Sequence, residues 1–200
     1  MKMKVAFGIK AHSGWAVLVG LGMRNGELEI VDRIRLELVE PKAASWAKQP
    51  YHAAEELSGR DARNLVNRAI NSARRMAVRE MRKTLKRMEQ AGRDVSACAV
   101  LVGEPMPDWS VAEILAVHFR MHQAEGVLFR DALIRAADTC GIKTLEVREK
   151  QFEDEARRVI GTELADSRKA IADAGKVVGP PWGKDQKDAA LAALIALKSY

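Results

Sequence analysis

A mixed α/β sheet with helices on both faces is the fold class that this 200-residue sequence predicts, and three observations predict it. The chain opens with three apolar, strand-like runs, the second and third joined by Asn25-Gly26. Helix-like and strand-like segments then alternate to the end. Residues 95–102 are almost wholly apolar, as a central strand covered on both faces requires. Together they give five strands: a three-strand antiparallel meander plus two parallel strands.

Residues 3–9 fit a buried first strand. The start resembles a signal peptide only briefly, because Lys10 interrupts the apolar stretch. Residues 14–21 form the second strand. Residues 27–38 alternate as Leu28, Ile30, Ile34, Leu36 and Leu38. Asn-Gly between two such runs is a hairpin signal, since both residues accept positive φ. Gly20, Gly22 and Gly26 precede a strand rather than a helix, which excludes a dinucleotide phosphate loop.

Residues 40–58, with Pro41, Trp46 and Pro50, read as an irregular connection. Ser58 is a helix cap, and the helix it starts runs to about Gln90, where Ala91-Gly92 stops it. Its apolar positions are Val66, Ile70, Ala73, Ala77, Met81, Leu85 and Met88, close to the helical period. After strand 95–102 comes Gly103-Glu104-Pro105-Met106-Pro107, then a helix over 110–139 with a bend expected at Gly126. Residues 143–147 are the fifth strand, and 149–159 are helical. Residues 161–184 are mixed and end in the breaker Gly179-Pro180-Pro181-Trp182-Gly183-Lys184. The last helix covers 185–198. No linker divides the chain, so 1–200 reads as a single domain.

Hydrophobic residues make up 48% and charged residues 30%, the balance of a soluble globular chain. No apolar run approaches about 18 residues, so no membrane span is expected. Cys98 and Cys140 lack metal or redox spacing and read as reduced, structural thiols of a cytoplasmic protein. The formal net charge is +6. Residues 60–93 hold eleven basic side chains against three acidic ones, more excess than the whole chain carries. Such a stripe is either a solvated helix face or a footprint for DNA or RNA, with Arg75, Arg79, Arg82 and Lys83 as contacts. Trp109 and Trp182, near predicted turns, are candidates to flank one groove and stack unpaired bases, or else to cap the sheet as core.

Asp185 and Asp188 lie three apart at the start of the last helix and so share a face. Acids there complement the helix dipole, or they hold a hard divalent cation. His118 and His122 have the four-residue spacing of ligands on one helix. The residues between them lack the Glu of a zinc protease, so a zinc site is not expected there.

The strand and helix order resembles the ribonuclease H-like fold, and particular residues are similar to the RuvC-type Holliday-junction resolvases. Asp185-Gln186-Lys187-Asp188 followed by Ala189-Ala190-Leu191 resembles that family's final helix, with its two metal-binding Asp. Glu104 matches the catalytic Glu. The segment from Ala124 to Leu133 resembles the helix after it, and Gln151 fits a similar pattern. The resemblance implies Mg²⁺, phosphodiester cleavage in DNA recombination and a homodimer. The first strand departs from it. The family reads Gly-Ile-Asp-Pro-Gly, and this chain reads Gly8-Ile9-Lys10-Ala11-His12. Lys10 stands where the bridging Asp belongs, and its charge opposes paired cations.

The reading that follows is a RuvC-like nucleic-acid-binding protein with a degraded metal site, in which Lys10 pairs with Glu104 and Asp188. One alternative is an active Mg-dependent endonuclease with metal ligands Glu104, Asp185 and Asp188, and with His12 as ligand or base. The other is a structural or protein-interaction module without nucleic acid.

Overall fold

The computed structural model describes residues 2–200. Five strands, β1 (Met3–His12), β2 (Trp15–Arg24), β3 (Glu27–Glu37), β4 (Arg93–Val102) and β5 (Lys143–Arg148), form one sheet in the order β3-β2-β1-β4-β5. β1, β2 and β3 are antiparallel neighbours, and β4 and β5 extend the sheet parallel to β1. Asn25 at φ 53° and Gly26 at φ 85° make the β2–β3 turn, as their sequence signal requires.

The helices are α1 (Ala44–Ala47), α2 (Pro50–Ala53), α3 (Gly59–Gln90), α4 (Val111–Leu115), α5 (His118–Thr139), α6 (Phe152–Ile160), α7 (Leu164–Val178) and α8 (Lys184–Ser199). Alternate side chains of β1 enter different layers. Val5, Phe7 and Ile9 pack with Val66, Ala73 and Met81 of α3 and with Phe129 and Leu133 of α5. Ala6 packs in the other layer, with Ala189, Ala193 and Leu194 of α8 and with parts of α6 and α7. Burying each large side chain here contributes about 1.5–3 kcal/mol.

Ser58 accepts the Asp61 N–H and starts α3, and Gly92 at φ 70° follows its end. α3 buries Ala62, Val66, Ala73, Ala77 and Met81 along one face.

Four local expectations change. The connection over 40–58 contains two short helices, because Tyr51, Ala47 and Ala54 are buried against the core. The helix expected over 110–139 breaks at Val117, whose backbone is extended, while Gly126 lies within the uninterrupted α5. Ser110 and Glu113 close a capping box that makes α4 a separate unit. Residues 164–178 form a full helix whose Ile171 is buried. β1 also runs past Ile9 to His12, because pairing with β2 continues to His12↔Trp15 around Gly14 at φ 84°. That extension puts Lys10 and His12 on a strand rather than in a loop.

Among the described residues, no helix is long and apolar enough to cross a membrane.

Candidate functional site

The site begins with a glycine. A Cβ on Gly8 would lie 1.8 Å from the Ala189 carbonyl oxygen and 2.5 Å from the Ala193 nitrogen. The backbone of α8 therefore rests directly on β1, which only glycine permits at this position. Ala189, Ala190, Ala192, Ala193 and Ala196 keep the helix thin enough to sit there, and all are fully buried. Arg33 of β3 donates to the carbonyls of Gly179 (2.7 Å) and Pro181 (2.8 Å), fixing the segment that leads into α8. Gln186 accepts the Gly183 N–H at 2.9 Å and caps the helix. This packing brings the first turn of α8 to the carboxyl end of β1.

Lys10, two residues beyond Gly8, meets that turn. Its Nζ lies 2.8 Å from Asp188 Oδ2 and 3.1 Å from Asp185 Oδ1. Lys184 adds a second ammonium at 2.6 Å from Asp188 Oδ2. Burial opposes the Lys10 charge, but hydrogen bonding to Asp188 and Asp185 and their Coulombic attraction outweigh it and raise the pKa above the usual lysine value. Burial likewise works against ionised Asp188, and the bonds from Lys10 and Lys184 prevail, holding its pKa below the usual carboxylate range.

His12 Nε2 is 3.0 Å from Asp185 Oδ2, yet it makes no aligned hydrogen bond. The ring is stacked on Trp15 with centroids 4.2 Å apart, and the Arg35 guanidinium covers Trp15 at 3.7 Å. This Arg–Trp–His stack holds His12 beside Asp185.

Glu104 stands apart from this cluster. It is exposed and pairs with Lys150 at 3.3 Å, not with Lys10. The expected Lys10–Glu104 pair is thus replaced by Lys10–Asp185, because α8 brings both of its acids to β1 while the 103–110 segment turns Glu104 toward the start of α6. Gln151, in the turn before α6, is also exposed. Among the described residues, the ligand atoms of Glu104, Asp185 and Asp188 do not converge within 4.8 Å of one another.

The donor set does not fit a divalent-cation centre. Two ammonium groups face two carboxylates, and the third acid has its own lysine. A hard cation needs uncompensated oxygen ligands, and here each acid is already neutralised. Lys184 and Lys150 were not singled out from the sequence. Lys184 had a legible signal, since it lies four residues before Asp188. Lys150 had none, because its pairing depends on the path of the 103–110 segment.

No protein-family model and no curated protein matches the sequence. Among solved structures, the chain is similar to Thermus thermophilus RuvC in complex with a Holliday junction substrate, at 13% identity and TM-score 0.48, covering 96% of this chain and 91% of that one. Another Thermus thermophilus RuvC structure gives 11% identity and TM-score 0.45 over the same shares, 96% and 91%. An Aquifex aeolicus member of the Ppx/GppA family gives 10% identity and TM-score 0.39, over 77% of this chain and 38% of that one. With TM-scores below 0.5, these likenesses leave the fold assignment to the strand order and directions. That arrangement, β3-β2-β1-β4-β5 with a parallel β1-β4-β5 half, is ribonuclease H-like.

The basic helix divides into two kinds of residue. Arg79 pairs with Glu80 (3.1 Å) and Glu40 (3.4 Å), and Lys83 pairs with Glu80 (2.9 Å). Arg75 and Arg82 are exposed and have no carboxylate within 4.0 Å among the described residues. Arg74, Arg75, Val78, Arg79 and Arg82 line a shallow concavity. The tryptophans do not share a groove. Trp109 packs with the α3–α5 layer under the Arg120 guanidinium, at 4.4 Å. Trp182 packs with the α8 layer, donates to the Ile171 carbonyl at 2.9 Å and lies against Gly175. Their apolar area is used in two different core layers.

Proposed function

We propose that this protein is a RuvC-like nucleic-acid-binding protein whose cation centre has been replaced by an ion-pair cluster. The observation that carries the reading is Lys10 Nζ within 3.1 Å of both Asp185 and Asp188. An ammonium at that point supplies the positive charge that a cation would supply, but it cannot activate water or hold a phosphate oxygen by coordination. Asp185, Asp188, Lys10 and His12 then act as a structural clasp between β1 and α8, and Glu104 contributes to none of it. Binding falls to the basic face of α3, where Arg75 and Arg82 retain uncompensated charge and Arg79 and Lys83 flank them. Phosphate neutralisation by such side chains releases counterions and is independent of any metal.

The test uses a four-way DNA junction, a DNA duplex and an RNA duplex as probes, each at two salt concentrations, with and without Mg²⁺. The reading expects salt-sensitive binding and no strand cleavage by the native chain. Mg²⁺-dependent cleavage that is lost in Asp188→Asn would establish an endonuclease instead. Absence of binding to every probe would leave a structural or protein-interaction module.

A further inference from the structure

Three of the four histidines of this chain converge at a place remote in sequence from the Lys10 cluster. His118 and His122 are one turn apart at the start of α5, with their Nε2 atoms 3.1 Å apart. His52, on α2, comes from the connection over 40–58. Its ring centroid lies 5.1 Å from that of His118 and 4.6 Å from that of His122. One ring nitrogen from each of the three falls within 4.8 Å of the others.

A fourth residue sets the chemistry of His52. Glu125, one turn further along α5, is 5% exposed. Its carboxylate accepts the His52 backbone N–H at 3.2 Å and lies 2.9 Å from His52 Nδ1 with both oxygens. A carboxylate only accepts, so Nδ1 carries the proton, and the Nε2 lone pair of a neutral His52 is directed away from Glu125. A buried carboxylate that orients a histidine in this way is the usual outer partner of a histidine metal ligand.

The other two rings face each other through their Nε2 atoms. Two Nε2 atoms at 3.1 Å share at most one proton. The His118–His122 spacing suits a metal, since bonds of about 2.0–2.1 Å in tetrahedral geometry put nitrogen ligands about 3.3 Å apart, and a His52 nitrogen lies within 4.8 Å of both. Zinc is matched to imidazole donors, and Mg²⁺ and Ca²⁺ are not. His118 and His122 are exposed, so an ion can enter from solvent.

We propose that His52, His118 and His122 form a three-nitrogen site for a zinc-class divalent ion, with Glu125 as the positioning residue for His52. The absence of a zinc-protease Glu between His118 and His122 does not bear on this site, because its third ligand comes from another helix. An ion held there ties α2 to α5, fixing the connection between β3 and α3. This inference does not depend on the Lys10 cluster or on nucleic-acid binding.

The test is a Zn²⁺ titration of untagged, chelator-treated full-length protein, read by calorimetry and by thermal melting, with Co²⁺ as a spectroscopic probe of tetrahedral coordination. The expected result is one equivalent of Zn²⁺ per chain, a higher melting temperature and tetrahedral Co²⁺ absorption. His118→Ala and His122→Ala, both at exposed positions, lose all three signals. Glu125→Gln weakens binding about 10–100-fold. Asp188→Asn changes nothing. Circular dichroism of each apo variant separates lost ligands from lost folding. No stoichiometric binding, or binding that survives the His118→Ala/His122→Ala double variant, overturns the site. Unchanged affinity in Glu125→Gln overturns the role given to Glu125.

Discussion

Lys10 Nζ lies 2.8 Å from Asp188 Oδ2, although 178 residues separate them in the chain. The pair joins the carboxyl end of the central strand β1 to the N-terminal end of the last helix α8. Both side chains are mostly withdrawn from water, at 16% and 17% exposed, so their attraction is screened less than at an open surface. Lys10→Met removes the ammonium and leaves Asp185 and Asp188 facing each other. Lys184, 2.6 Å from Asp188 Oδ2, offsets part of the loss. The expected destabilisation is about 1–3 kcal/mol by urea denaturation, or several degrees in melting temperature for a chain of this size. A change within about 0.5 kcal/mol would show that the clasp contributes nothing.

The same pair sets a pH dependence. Asp188 has a lowered pKa in the fold, so its contribution is complete above the unfolded value of about 3.9 and is lost as pH falls through the folded value. Lys10 has a raised pKa, so its contribution is complete below about 10.4 and is lost as pH rises through the folded value. The stability difference between the native chain and Lys10→Met is therefore flat from about pH 4 to about pH 10 and shrinks on both sides. A difference that varies strongly between pH 5 and pH 9 would place the coupling on other groups.

Gly8 is predicted to be the least replaceable residue near the site. A Cβ there meets the Ala189 carbonyl oxygen at 1.8 Å, and both partners are backbone, so neither side chain can yield. Gly8→Ala should cost about 3 kcal/mol or more and push α8 away from β1. Gly26→Ala is an informative comparison: no atom lies within 4 Å of a Cβ there, and only its positive φ is strained. A Gly8→Ala protein as stable as the native chain would contradict the close seating of α8.

Arg75 and Arg82 should account for the salt sensitivity of nucleic-acid binding. Reversing both to Glu removes two phosphate contacts and should lower the slope of log affinity against log salt by about 2. Reversal of Lys83, already paired with Glu80, should have a smaller effect. Filter binding at several salt concentrations reads both slopes. Equal slopes for the native chain and the double variant would move the contact surface off α3.

Much of the fold was legible because it rests on local signals. Asn25-Gly26 marked the hairpin, Ser58 and Gly92 bracketed α3, and the apolar run of β4 marked a strand covered on both faces. The short helices α1 and α2 were not legible, since four-residue helices exist only by packing Ala47 and Tyr51 against the core. The segment is interrupted at Val117 rather than bent at Gly126, because the capping box at Ser110 and the extended Val117 outweigh a lone glycine within a packed helix. At the site, the lysine at position 10 of the first strand and the Asp185–Asp188 pair could be read from sequence. The choice of Asp185 over Glu104 as the second partner of Lys10 could not. It depends on how closely α8 approaches Gly8 and on where the 103–110 segment turns. His52 was invisible as a companion of His118 and His122 for the same reason: 66 residues separate it from His118, and only the packing of α2 on α5 unites them.

The most direct test of the proposal that Lys10 stands in for a cation centre is a Mg²⁺ titration of the native chain and of Lys10→Asp, each with and without Asp188→Asn. Mg²⁺ is chosen because imidazole donors hold it poorly, so the histidine cluster does not interfere. The account predicts no saturable Mg²⁺ binding to the native chain, and binding in Lys10→Asp that disappears when Asp188→Asn is added. Tight Mg²⁺ binding by the native chain, abolished by Asp188→Asn, would contradict it.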